Sequence, residues 1–63
     1  MTYRLDLSHF TESQREKILK ELQPYTWEIY DVSYIPPIID VHWTSEKSIK
    51  ELFPYLIPYL TVQ

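Results

Sequence analysis

Sixty-three residues with six Lys and Arg against nine Asp and Glu carry a net charge of −3 and make one domain, residues 1–63. Cysteine and glycine are both absent, which excludes disulfides, thiolate metal sites and glycine-rich phosphate cradles. No stretch approaches the roughly 18 consecutive apolar residues of a membrane span, and Arg4 and Asp6 near the N-terminus do not fit a signal peptide, so a cytoplasmic protein is expected.

The opening TYRLDLS alternates, with Tyr3, Leu5 and Leu7 on one face and Arg4 and Asp6 on the other. A period of two predicts a strand with one buried face. Thr11 and Gln14 match a capping box, in which each side chain holds an otherwise free backbone donor. The helix that follows is predicted over Glu12 to Leu22, because Pro24 disfavours helical geometry at Gln23. Ile18, Leu19 and Leu22 form its apolar stripe, joined by Phe10 from the preceding turn, while Glu16–Lys20 and Lys17–Glu21 are spaced for pairing on the outer face. The stretch from Leu5 to Leu22 resembles the opening strand and helix of the small tautomerases, whose catalytic base is an N-terminal proline. Here Thr2 follows Met1, so the resemblance brings no catalytic group with it.

YTWEIYDVSYI is rich in aromatic and β-branched residues and predicts a second strand. Trp27 and Ile29 share one parity and Tyr30, Val32 and Tyr34 the other. That requires a bulge near Tyr30 or a strand covered on both faces. Pro36 and Pro37 interrupt the run and make one of the two X-Pro bonds a candidate for the cis form. IIDVHWT then resumes, with Ile39, Val41 and Trp43 on one side and Asp40 and His42 on the other. Without Gly or Asn the usual two-residue hairpin turns are excluded, so the Pro-Pro segment must connect these strands.

In TSEKSIKELFPYLI, Ile49, Leu52, Phe53 and Leu56 recur at helical spacing. The expected helix is capped by Thr44 or Ser45 and stays regular to about Phe53, where Pro54 kinks or ends it. YLTV after Pro58 has the β-propensity for a short last strand. The order β-α-β-β-α(-β) predicts a small α+β domain of the ferredoxin-like, split βαβ type, with two helices on one face of an antiparallel sheet.

Motifs for chemistry are sparse. Asp40 and His42 share a strand face, but no H-x-x-x-H or E-x-x-H spacing accompanies them, so neither a metal nor another cofactor is expected. No serine sits in a glycine-flanked elbow. The acidic balance argues against direct nucleic-acid binding, which requires a basic stripe.

The charge map is more telling. From Leu22 to Ser45 there is no Lys or Arg, yet Glu28, Asp31 and Asp40 are there with Tyr25, Trp27, Tyr30, Tyr34 and Trp43. Two readings stay open: the rings fill the core of a small domain, or they form an acidic, aromatic contact face for a basic protein. Near the C-terminus, Tyr55, Ile57, Tyr59, Leu60 and Val62 exceed what so small a core can house; either Tyr59 to Val62 adds an edge strand, or the surplus forms an apolar patch that meets another copy or another protein, and a homodimer is expected.

The expected function is therefore a non-catalytic protein-binding module, a small regulator or inhibitor of the kind phages encode. Its contact residues are expected to be Trp27, Glu28, Tyr30, Asp31, Tyr34, Asp40, Tyr55 and Tyr59. The alternatives are a small oligomeric enzyme using Glu28, Asp31, Asp40 or His42 at subunit boundaries, or a purely structural assembly subunit.

Overall fold

In the computed structural model, which describes residues 1–63, the alternating N-terminal stretch becomes β1 (Thr2–Asp6), with Tyr3 and Leu5 buried. The capping box closes. Thr11 Oγ1 accepts from the Gln14 amide at 3.2 Å and Gln14 Oε1 accepts from the Thr11 amide at 2.8 Å, starting α1 (Glu12–Leu22). A 3₁₀ turn over Gln23–Tyr25, with Pro24 near its start, leads into β2 (Thr26–Tyr34). The Ile35–Pro36 peptide is cis, and β3 (Pro37–Trp43) returns beside β2.

The second helix starts later than its sequence suggests. α2 is a single turn, Ile49–Leu52, capped by Ser48, whose side chain accepts from the Lys50 amide at 3.2 Å. Thr44 and Ser45, the expected caps, are engaged elsewhere. Thr44 Oγ1 donates to the Tyr25 carbonyl at 3.2 Å, and Ser45 Oγ accepts from the Lys47 amide at 3.2 Å. Trp43 Nε1 also donates to the Lys47 carbonyl at 2.8 Å, so the segment after β3 is tied down before a helix can begin. Pro54 lacks the amide that would extend α2, and the chain continues as a 3₁₀ helix over Pro54–Tyr59 before β4 (Leu60–Val62).

The four strands form one antiparallel sheet in the order β2-β3-β1-β4. Eleven buried side chains form the core. Tyr3, Leu5, Ile39, Val41 and Trp43 from the sheet, with Leu7 just past β1, meet Ile18 and Leu22 of α1, Ile49 of α2, and Phe53 and Leu56. No polar or charged residue is buried. Tyr25, Trp43 and Phe53 pack ring against ring, with centroids 5.6 Å apart for Tyr25–Trp43 and 5.8 Å for Tyr25–Phe53. The exposed area of 4338 Å² matches the roughly 4,300 Å² of a folded chain of this mass, so little of the chain hangs away from the core.

The two tryptophans have opposite fates. Trp43 is 7% exposed and Trp27 66% exposed. Trp43→Ala is expected to destabilise the protein by about 3–5 kcal/mol, comparable with the whole stability of a domain this small. Trp27→Ala should stay within about 0.5 kcal/mol of the parent. Urea unfolding followed by circular dichroism separates the two outcomes.

Candidate functional site

Because the odd-numbered residues of β1 and β3 face the core, the even-numbered ones face the other way. Thr2, Arg4, Asp40 and His42 therefore share the side of the sheet that no helix covers. The β2 register sets Glu28 against His42 and Tyr30 against Asp40, adding both to this open face. Ile29 pairs with Val41 and Asp31 with Ile39, which places Ile29 and Asp31 toward the helices. The ladder is irregular between Thr26 and Glu28 and again between Asp31 and Ser33. The first irregularity inserts an extra residue, so Trp27 lies on the open face rather than with Ile29. These two bulges flank Tyr30, resolving the mixed parity of this strand.

At the centre of the face, the His42 ring lies 5.0 Å from that of Trp27 and 5.1 Å from that of Tyr30. Its Nδ1 is 3.1 Å from Thr2 Oγ1. Next to it, Arg4 reaches across from β1 and grips Asp40 with both prongs. Nε donates to Oδ1 at 2.9 Å and an Nη donates to Oδ2 at 3.1 Å, in the fork geometry that favours Arg–carboxylate pairs. This is the only ion pair in the protein; the pairs spaced along α1 do not close.

The hydrogen bond from Arg4 holds the Asp40 carboxyl below the usual carboxylate range, and the same bond raises Arg4. On β2, hydrogen-bonding attraction to the Glu28 carboxylate, ahead of burial and of the Glu28 charge, pushes the Tyr30 phenol up. No full bond closes between those two groups.

Arg4 corrects one reading of the sequence. The stretch from Leu22 to Ser45 lacks a base, but the face it helps build does not, because β1 is the neighbour of β3 and carries a guanidinium onto it. Thr61 of β4 pairs with Arg4 and extends the same face. Arg4, Thr2 and His42 are the residues that the proposed contact set lacked. The alternation of β1 gave the signal for Arg4, and β3 gave it for His42. What was missing was the adjacency of the two strands.

Four of the eight sequence-derived contact residues, Trp27, Glu28, Tyr30 and Asp40, come together here. Asp31 lies on the helix side, in a shallow recess of about 200 Å³ that Leu7, Arg15, Leu19 and Tyr34 also line. Tyr34 stands at the hairpin end, 78% exposed. Tyr55 is on the helical layer, where its hydroxyl donates to Glu21 Oε2 at 3.3 Å. Burial, then the Glu21 charge, raises its phenol. Tyr59 packs against Phe10 and His9, each with ring centroids 5.1 Å away. Tyr25 and Trp43 belong to the core side. The aromatics thus divide between the two readings the sequence left open.

No three His, Cys, Asp or Glu side chains converge on a point where a metal ion would sit. No helix is long and apolar enough to cross a membrane.

Two carboxylates are held low by the fold: Asp40 by Arg4, and Asp6 by hydrogen bonds from Ser8, whose amide donates at 2.9 Å. A carboxyl with a depressed pKa in the folded state binds its proton first in the unfolded chain. Its contribution is complete above about pH 4, the ordinary Asp value, and is lost as the pH falls through the lower folded value. Urea midpoints are therefore expected to drop on acidification below about pH 4. In Asp40→Asn the drop should be shallower, whereas an equally steep drop would deny the Arg4–Asp40 pair any part in it.

Comparison with protein-family models, with curated proteins and with solved structures finds no match to this chain, so a reading of the open face rests on its own chemistry.

Proposed function

We propose that this protein acts without catalysis, by docking the open face of its sheet on a basic surface of another protein, as a small regulator or inhibitor. The observation that carries this reading is Trp27, a large ring that is mostly exposed on the uncovered face and braced by His42. Trp, Tyr and Arg are the residue types enriched in binding hot spots, and Trp27, Tyr30 and Arg4 stand on one patch. The bracing matters because a ring already held in place loses little rotamer freedom on binding.

The charge of the patch narrows the partner. Arg4 is occupied by Asp40, which leaves Glu28 as the acid beside the rings with no cation of its own. A Lys or Arg of the partner would find a carboxylate at Glu28 and a ring face at Trp27, a combination that attracts cations both ionically and through the ring quadrupole. The strand order supports a finer reading of the fold as well. β1 and β2 both run antiparallel to β3 between them, the arrangement of a ferredoxin-like split βαβ unit.

The test uses immobilised protein to capture partners from the native host. A specific basic protein should bind the parent chain. Trp27→Ala should weaken its binding about 30-fold, and Glu28→Lys should do so by charge reversal. Lys20→Ala, on the outer side of α1, should bind like the parent. Unchanged capture by a folded Trp27→Ala chain would remove the open face from the interaction.

A further inference from the structure

We infer that two copies of this chain pair through the β2 edge, about a two-fold axis at Tyr30, to form one continuous eight-stranded antiparallel sheet. This association uses the strand edge and, of the open face, only Tyr30, and it holds whether or not that face binds a partner.

The middle of this edge is open to pairing. β2 is nine residues long and lies at the end of the sheet, whereas the opposite edge, β4, has three residues. Natural edge strands are commonly protected by lysine, proline or bulges. β2 contains no Lys, Arg or Pro; its protections are two acids, Glu28 and Asp31, and two bulges near its ends. Five of the nine exposed large apolar side chains, Trp27, Tyr30, Val32, Tyr34 and Ile35, lie on it or on the turn that follows. Its two bulges bracket a regular run from Glu28 to Asp31.

The backbone of that run fixes the pairing. The Leu7 amide donates to the Pro37 carbonyl and the Trp43 amide to the Met1 carbonyl, both at 2.8 Å. In an antiparallel ladder, alternate residues turn their amide and carbonyl to opposite neighbours. Ile39 and Val41, in step with Pro37 and Trp43, therefore bond to β1, and Asp40 and His42 bond to β2 through Tyr30 and Glu28. Ile29 and Asp31 are left with their amides and carbonyls pointing outward.

A second copy satisfies both residues at once. When Ile29 of each copy pairs with Asp31 of the other, four backbone hydrogen bonds form and Tyr30 faces Tyr30 across the axis. Glu28 then opposes Val32, so no acid directly opposes an acid, and the two Asp31 residues stand diagonally about 7–8 Å apart. Shifting the register one way sets Asp31 against Asp31, where like charges repel. Shifting it the other way sets Asp31 against Trp27, inside a bulge where the ladder is broken. Only the register centred on Tyr30 uses all the outward groups of the regular run, and it brings two aromatic side chains together as a cross-strand pair.

The test begins with sedimentation equilibrium of the full chain, which should show a reversible dimer with a dissociation constant between about 1 μM and about 1 mM. Asp31→Pro removes an outward amide and no bond to β3, and should weaken association about 10- to 30-fold while the circular dichroism spectrum is kept. The chain has no cysteine, so single cysteines report the register. Facing Tyr30 positions have Cα atoms about 4.5 Å apart, within disulfide reach, and Tyr30→Cys should oxidise to a covalent dimer. The Glu28 positions of the two copies lie about 14 Å apart, and Glu28→Cys should cross-link much more slowly. A monomer at every concentration up to about 1 mM overturns the inference. So does undiminished dimerisation of folded Asp31→Pro, or cross-linking of Tyr30→Cys no faster than that of Glu28→Cys. If Asp31→Pro fails to fold, the two cysteine variants decide.

Discussion

Eleven side chains hold this protein together, and all of them lie between one side of a four-stranded sheet and a thin layer of helix. None of the 63 residues covers the other side, so the interior is one-sided. Each strand near the middle must serve two environments at once, and the alternation of β1 and β3 is the direct expression of that demand. The helical layer is thin because α2 has only one turn before Pro54. Large rings offset the shortage: Tyr25, Trp43 and Phe53 fill with aromatic area what a longer helix would have filled with aliphatic side chains. Absence of glycine and alanine follows the same logic, since small residues add ordered backbone and little buried area.

The open face is a consequence of this one-sidedness and need not be a device in itself. Its centre is organised all the same. His42 sits between two rings, and Arg4 and Asp40 satisfy each other. Half-exposed Arg–carboxylate pairs stabilise little on their own. The value of Arg4–Asp40 is positional: it ties β1 to β3 on the wet side of the sheet while the core ties them on the dry side.

Local signals in the sequence carried much of this architecture. The Thr11–Gln14 box, the strand parity of β1 and β3, the stop at Pro24 and the short last strand all depend on neighbours a few residues away, and all are visible in the chain's own spacing. What was not legible depends on distance. Thr44, Ser45 and Ser48 are equally good caps by composition, and tertiary bonds to Tyr25 and within the 43–47 segment select Ser48. Trp27 and Ile29 share a parity in the sequence, and one inserted residue against β3 sends them to opposite faces. Arg4 is 36 positions from Asp40, so a charge count along the chain reads the middle as base-free while the fold brings a base to it. Contact faces are assembled from strands that neighbour in space, and a window in the sequence samples only one of them.

Edge and face meet at Tyr30, and their geometry ties the size of the protein to what it can bind. A standard interface takes about 800 Å² from each partner, close to a fifth of the 4338 Å² this chain exposes. One open face offers a single well-exposed tryptophan for that purpose. In the dimer we propose, two faces joined side by side along β2 would present two copies of Trp27, Tyr30 and His42 on one twisted surface, without adding a residue to the chain. For a domain whose core has already used its helices, joining at an edge enlarges the contact surface and leaves the packing that holds each copy together untouched. In that arrangement affinity for a partner would depend on the protein's own concentration, because the wide face would exist only in the dimer.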